Sequence, residues 1–210
     1  MLQFQNKILA LNYNIKKLFI ERKRESIKKK IQSSGICKLD LGCGPTKRYG
    51  YIGIDFSSNA DIQWDLRFGI PCDDNSISII RSDHFFEHLS IDELMDILKD
   101  CRRVLIKGGV LDFSVPHINP YISAYLENDF EFLKEKIHDI PDGKDDLFNT
   151  CFDRVVWLLH RSGEHKSMFD TESILEKVKL SGFNMVHTRE YDPNKDNDPR
   201  FSSIYVVAIK

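Results

Sequence analysis

Leu39-Asp40-Leu41-Gly42-Cys43-Gly44-Pro45, followed by Tyr51-Ile52-Gly53-Ile54-Asp55, is the stretch on which the reading of this chain turns. One short apolar run ends in a glycine pair, and a second ends in an acid. Glycines directly after a strand let the backbone turn tightly and let a ligand approach the main chain. Only residues 45–50 lie between Gly44 and Tyr51. A crossover helix needs about 10–12 residues, so the first crossover is expected to be a turn or a very short helix. The dinucleotide pattern GxGxxG fails, because Lys47 stands at its third glycine position. Asp55 also comes sooner than the acid of a nicotinamide-binding fold, which lies about 20 residues on.

Outward from this stretch, short apolar runs alternate with helical periodicity. The pattern predicts strands over 36–41, 51–55, 61–64, 77–81, 110–115, 183–191 and 201–209. It predicts helices over 5–31, 91–104, 121–137 and 171–181, with Gly108-Gly109 ending the second of them. Alternation of this kind points to a parallel sheet covered by helices on both faces, a doubly wound α/β domain. Such sheets bind ligands beyond the carboxyl ends of their strands. Those ends carry Asp40 with Gly42 and Gly44, then Asp55, Asp65, Ser82-Asp83-His84 and Pro116-His117. A carboxylate in the position of Asp55 suits the two hydroxyls of a ribose.

The 210 residues carry a net charge of -2, unevenly spread. Residues 1–34 sum to +7 and the remainder to -9. An acidic body has no general attraction to nucleic acid, so none is expected as a partner. The basic arm, residues 1–34, precedes a domain over 35–210. Its stripe Ile8, Leu11, Ile15, Leu18 and Phe19 is expected to pack on the domain or on a second copy, which allows a homodimer. Its charge allows peripheral contact of residues 1–30 with an anionic membrane or glycan carrier. No apolar run is long enough to span a membrane. No signal-peptide pattern opens the sequence, and the five scattered cysteines read as reduced thiols of a cytoplasmic protein. Neither cysteines nor histidines show ligand spacing, so no metal is expected.

These motifs together resemble the class I S-adenosylmethionine (SAM)-dependent methyltransferases, in particular the type 11-like group. The resemblance also rests on Trp64-Asp65-Leu66, Ile70-Pro71-Cys72-Asp73-Asp74-Asn75-Ser76, Phe85-Phe86-Glu87-His88-Leu89 and Arg103-Val104-Leu105-Ile106-Lys107-Gly108-Gly109. It covers 36–116 and resumes in Gly163-Glu164-His165-Lys166-Ser167-Met168-Phe169-Asp170 and Ser181-Gly182-Phe183. It implies a seven-strand, mostly parallel, Rossmann-like methyltransferase sheet whose last two strands form the antiparallel edge. It implies SAM as cofactor, with Asp40, Gly42, Cys43, Gly44, Asp55, Phe56, Asp65, Leu66 and Ser82 around it. It departs at Ile77-Ser78, where the family often has an aromatic-Asp pair. The expected activity is methyl transfer to a small molecule or sugar, at oxygen, with the segment 117–169 forming the acceptor side. A hydroxyl acceptor needs a base, and His84, His117 and His165 are the candidates. The alternatives are a non-catalytic partner subunit that keeps the fold and a nicotinamide-dependent oxidoreductase. The second lacks its third glycine and its first crossover.

Overall fold

The computed structural model describes residues 2–196 and 201–210, with side chains of the first helix described from residue 17 onward. The expectations for Ile8, Leu11 and Ile15, and for residues 197–200, lie outside what it describes.

Seven strands hydrogen-bond into one sheet: β1 (Lys38–Leu41), β2 (Ile52–Asp55), β3 (Ile62–Gln63), β4 (Ile77–Asp83), β5 (Leu105–Pro116), β6 (Met185–Arg189) and β7 (Ser203–Ile209). Their order is β3-β2-β1-β4-β5-β7-β6. The order reverses at β1 and β4, so a crevice opens between their carboxyl ends. Strands β1 to β5 are parallel neighbours, while β7 runs antiparallel to both β5 and β6. The central strands β1, β2 and β4 are largely covered on both faces, while the edge strand β3 buries Ile62 and exposes Gln63.

The helices are α1 (Leu2–Ser34), α2 (Ile91–Val104), α3 (Asn119–Leu126), α4 (Phe130–Lys136), α5 (Cys151–His160) and α6 (Thr171–Leu180). Helix α2 starts at a capping box, in which Ser90 Oγ accepts from Glu93 N and Glu93 Oε2 accepts from Ser90 N at 2.8 Å. Leu94, Ile97, Leu98, Cys101 and Val104 bury its inner face. It ends at Val104, because Leu105 already has extended backbone and opens β5. Gly108-Gly109 therefore do not end the helix as expected; they lie in the irregular stretch where the β4–β5 register shifts.

The expected helix over 121–137 is two helices. Asn128 takes a left-handed φ of 54° and Asp129 caps the second helix, accepting from Phe132 N at 3.0 Å. Helices α3, α4 and α5 enclose a small core of their own, built from Tyr121, Ala124, Leu133, Ile137 and Cys151. This unit stands over the carboxyl ends of β4 and β5.

Of the two packings expected for α1, Leu18 and Phe19 do not make the one on the domain. Leu18 and Phe19 are exposed, while Ile27 and Ile31 enter the main core. Its basic side chains turn onto the domain's own loops: Lys28 pairs with Asp73, and Lys30 Nζ donates to the Asp61 carbonyl at 2.9 Å. The final turns of the arm thus belong to the domain they precede. Among the described residues, no helix is long and apolar enough to cross a membrane.

Candidate active site

The turn after β1 is held open by backbone conformation. Gly42 and Gly44 have φ of 65° and 55°, where side chains other than glycine are strained. The Gly44 amide donates to Asp55 Oδ2 at 3.0 Å, and Ser57 N donates to Asp55 Oδ1 at 2.7 Å. The acid at the end of β2 therefore ties the glycine turn to the next strand. Residues 45–50 form turns without a helix, as the short spacing requires. A Cβ placed on Gly42 would lie 2.4 Å from the Phe85 ring, whereas one on Gly44 meets nothing within 4 Å. The main chain at Gly44 faces open space that a ligand can enter.

The electrostatics of this turn favour a cation. Burial pushes the Cys43 thiol up to about 12, and the charges of Asp40, Asp55 and Asp61 push in the same direction. Burial penalises charge of either sign, but the part of the shift that comes from the three acids would stabilise a positive group at the same place. Asp40 is buried and accepts from Arg48 Nε at 3.2 Å. Desolvation raises its pKa, against the opposing pull of Arg48. Ser82 is also buried, with its hydroxyl donating to the Leu41 carbonyl at 3.0 Å, so its oxygen joins β4 to β1.

Phe56, Asp65, Leu66, Phe85, His88 and Lys166 line a cleft of about 250 Å³ beside Asp55. Phe56 is exposed there and Leu66 is buried beneath it. Asp65 caps a 3-10 turn, Leu66–Phe68, and pairs with Arg67 at 2.7 Å, which holds its carboxyl below the ordinary range. A second hollow, about 420 Å³, continues past Phe56 and is walled by Phe19 and Lys23 of α1. The sequence reading missed this use of α1, because a mostly charged helix carries no sign of which strand end it crosses.

On the other side of the sheet's midline lies a cavity of about 550 Å³. His84, Glu87, Tyr121, Lys136, Arg161 and His165 are among its walls, so the 117–169 segment and the end of β4 share it. His84 has a φ of 52°, a strained backbone for a residue other than glycine. Its Nδ1 meets Glu87 Oε1 at 3.2 Å and its Nε2 meets Ser203 Oγ at 2.9 Å. His165 is buried and its Nδ1 meets the Leu158 carbonyl at 2.9 Å; burial lowers its pKa, so the ring is neutral near pH 7. His117 does not line this cavity. Its strand-like bridge to Phe169 turns it toward the base of α6, where burial lowers its pKa and nearby Asp170 partly offsets that. Of the three candidate histidines, the fold brings two to one cavity. It also gathers Glu87, His88 and His165, whose ligand-capable atoms lie within 4.8 Å of one another. No spacing in the sequence shows that cluster, since its members come from two distant segments.

A glycine turn is thus tied to an acid at the next strand end, at the switch point of a 3-2-1-4-5-7-6 sheet. Residues 39–113 match the family model described as "Methyltransferase domain". Among solved structures, a S-adenosylmethionine dependent methyltransferase from Mesorhizobium loti is 16% identical, with 82% of this chain and 90% of that one aligned at a TM-score of 0.50. A SAM dependent methyltransferase from Archaeoglobus fulgidus is 17% identical, with 92% and 98% aligned at a TM-score of 0.47. At such identity the likeness to the first is one of fold. No curated protein matches the sequence at a significant level.

Proposed function

We propose that this methyltransferase acts on a hydroxyl of a small molecule or sugar. The observation that carries the reading is the polar cavity shared by the end of β4 and the helices of the 117–169 segment. Its walls offer imidazole, ammonium, guanidinium and phenol groups, which suit an acceptor rich in oxygen.

When bound, SAM supplies a methyl group that is already strongly electrophilic on a sulfonium. The chain's own residues bind, orient and keep water out. The turn Gly42-Cys43-Gly44, whose main chain is open at Gly44, fits the methionine and ribose portion, and the acids around Cys43 suit its positive charge. Asp55 keeps lone pairs for ribose hydroxyls while holding the turn. Phe56, Asp65 and Leu66 suit the adenine. Asp40, paired with Arg48, and Ser82, bonded to Leu41, support the turn from below. His84 takes the acceptor's proton, since its Nδ1–H is anchored on the Glu87 carboxylate and its Nε2 faces a hydroxyl. His165, neutral and buried, lines the same cavity, while His117 is a structural residue at the base of α6. The five free thiols support a cytoplasmic enzyme.

The test combines calorimetry with turnover. Wild type should bind S-adenosylhomocysteine, and Asp55→Ala should weaken binding by about 1–3 kcal/mol as two buried hydrogen bonds are lost. Labelled methyl groups from SAM should then appear on hydroxylated acceptors and not on amine analogues. Transfer to amines alone would refute the oxygen assignment, and unchanged affinity in Asp55→Ala would refute the ribose assignment.

A further inference from the structure

We infer that Glu87, His88 and His165 form a binding site for one divalent first-row transition-metal cation, set in the wall between the cofactor cleft and the acceptor cavity. Glu87 and His88 lie on a 3-10 turn, Phe86–His88, just after β4, and His165 follows α5. The two segments are fastened together by backbone. The Glu87 carbonyl accepts from Lys166 N at 2.9 Å and Ser167 N at 3.1 Å, and Ser167 Oγ donates to the Leu89 carbonyl at 2.6 Å. The cluster is therefore held in place by the fold and does not depend on flexible side chains finding one another.

The chemistry of each member suits a ligand. His88 Nδ1 meets the Glu164 carbonyl and His165 Nδ1 meets the Leu158 carbonyl, both at 2.9 Å. A carbonyl only accepts, so each Nδ1 carries the hydrogen, which leaves each Nε2 as the nitrogen available to a cation. Metal-binding histidines are oriented in this way, with the second nitrogen donating to a carbonyl. Glu87 is 1% exposed; Oε1 meets His84, and Oε2 is buried with no hydrogen-bond partner. The nearest amine in sequence, Lys166, is committed elsewhere, to Glu93 at 3.1 Å. A buried carboxylate oxygen without a partner is costly, and a cation would satisfy it.

The ligand atoms lie within 4.8 Å of one another. Atoms about 2.1 Å from one cation are about 3–4 Å apart, so ring rotations of roughly 1 Å close the set. Two imidazoles and one carboxylate leave positions open and select Mn²⁺, Fe²⁺, Co²⁺ or Zn²⁺ over Ca²⁺. His88 lines the cofactor-side cleft, and Glu87 and His165 line the acceptor cavity. The open positions thus meet the place where the acceptor's hydroxyl reacts. There the cation holds the oxygen and acidifies its proton. The O–H bond breaks and its proton passes to His84; the oxygen forms the new bond to carbon as the methyl's bond to sulfur breaks, leaving the thioether. This last role rests on the methyl-transfer reading; the cation site itself does not.

The test uses the full chain, stripped with chelator and titrated with Co²⁺, followed by visible absorption and calorimetry, with Mn²⁺ as competitor. One equivalent should bind with sub-millimolar affinity and a nitrogen/oxygen spectrum. His165→Gln and Glu87→Gln should each weaken it roughly tenfold or more. S-adenosylhomocysteine is titrated into the same samples, which also reports that each variant is folded. Co²⁺ binding without S-adenosylhomocysteine binding upholds the site and removes the methyl-transfer reading. Nucleoside binding without Co²⁺ binding overturns the site alone. A thiolate charge-transfer spectrum, or Co²⁺ binding unchanged in both folded variants, also overturns it. Should a variant fail to fold, the wild-type stoichiometry and spectrum still decide.

Discussion

Replacing each glycine of the turn after β1 by alanine separates what the fold needs there from what the ligand needs. Both positions have left-handed backbone, with φ of 65° at Gly42 and 55° at Gly44. For an L-residue that conformation costs about 1–2 kcal/mol, partly offset by the roughly 0.4–1 kcal/mol gained when alanine restricts the unfolded chain. Gly44→Ala adds a methyl that meets nothing within 4 Å, so its net cost to stability is about 1 kcal/mol. Gly42→Ala drives its methyl to 2.4 Å from the Phe85 ring. Phe85 is flanked by Phe86 at a centroid distance of 5.5 Å and cannot retreat freely. Overpacking of this kind adds about 1–3 kcal/mol, which brings the total to about 2–4 kcal/mol. Affinity for S-adenosylhomocysteine should follow the opposite logic at Gly44. Its methyl fills the space open to the ligand, so binding should fall sharply while the protein stays folded. Urea unfolding and calorimetry measure the two quantities. If Gly44→Ala bound the nucleoside as tightly as wild type, or if Gly42→Ala were as stable as wild type, the account of this turn would be wrong.

Other consequences follow from particular contacts. Asp112 is buried between Arg81 at 2.8 Å and Arg189 at 2.7 Å, and both arginines also reach Asp196. Asp112→Ala strands two guanidinium groups and should cost about 3–5 kcal/mol in urea unfolding; a loss below about 1 kcal/mol would show that Asp196 suffices. Removing residues 1–34 exposes the pocket of Ile27 and Ile31, each worth about 1.5–3 kcal/mol, so the truncated domain should melt well below the full chain in calorimetric scans. His117 has its pKa lowered by burial, so the unfolded chain takes up a proton near pH 6.5 that the folded chain refuses. Its contribution to stability is complete above that pH and shrinks on acidification, and His117→Gln should flatten the slope of stability against pH below about 6.5. Burial raises Cys43 and Cys72 to about 12, and Cys37 is the exposed thiol, so a disulfide reagent at pH 8 should titrate Cys37 first and these two slowly.

Much of this was legible before any coordinates. Short, mostly apolar runs broken by glycine, proline and acids mark the strands, because a strand in the middle of the sheet buries most of its side chains. The six-residue gap after Gly44 leaves no room for a helix, and none forms. Ser90 and Asp170 cap α2 and α6, as a helix start needs an acceptor for its free amides. Local rules failed where a neighbour in space decided. Gly108-Gly109 looked like a helix end, yet pairing with β4 carried the chain straight from α2 into strand. Asn128 split a helix that periodicity alone joined, since a single left-handed residue leaves the apolar spacing almost intact.

The linear order of residues determined the sheet, the glycine turn and the acid that ties it, because strand ends and tight turns are set by neighbours a few positions away. Only the tertiary structure decided which histidines share a cavity, that α1 walls the hollow past Phe56, and that Glu87, His88 and His165 converge. Those outcomes depend on how segments far apart in the chain are pressed together by burial and by backbone hydrogen bonds such as those from Lys166 and Ser167 to Glu87. No periodicity within either segment encodes that meeting.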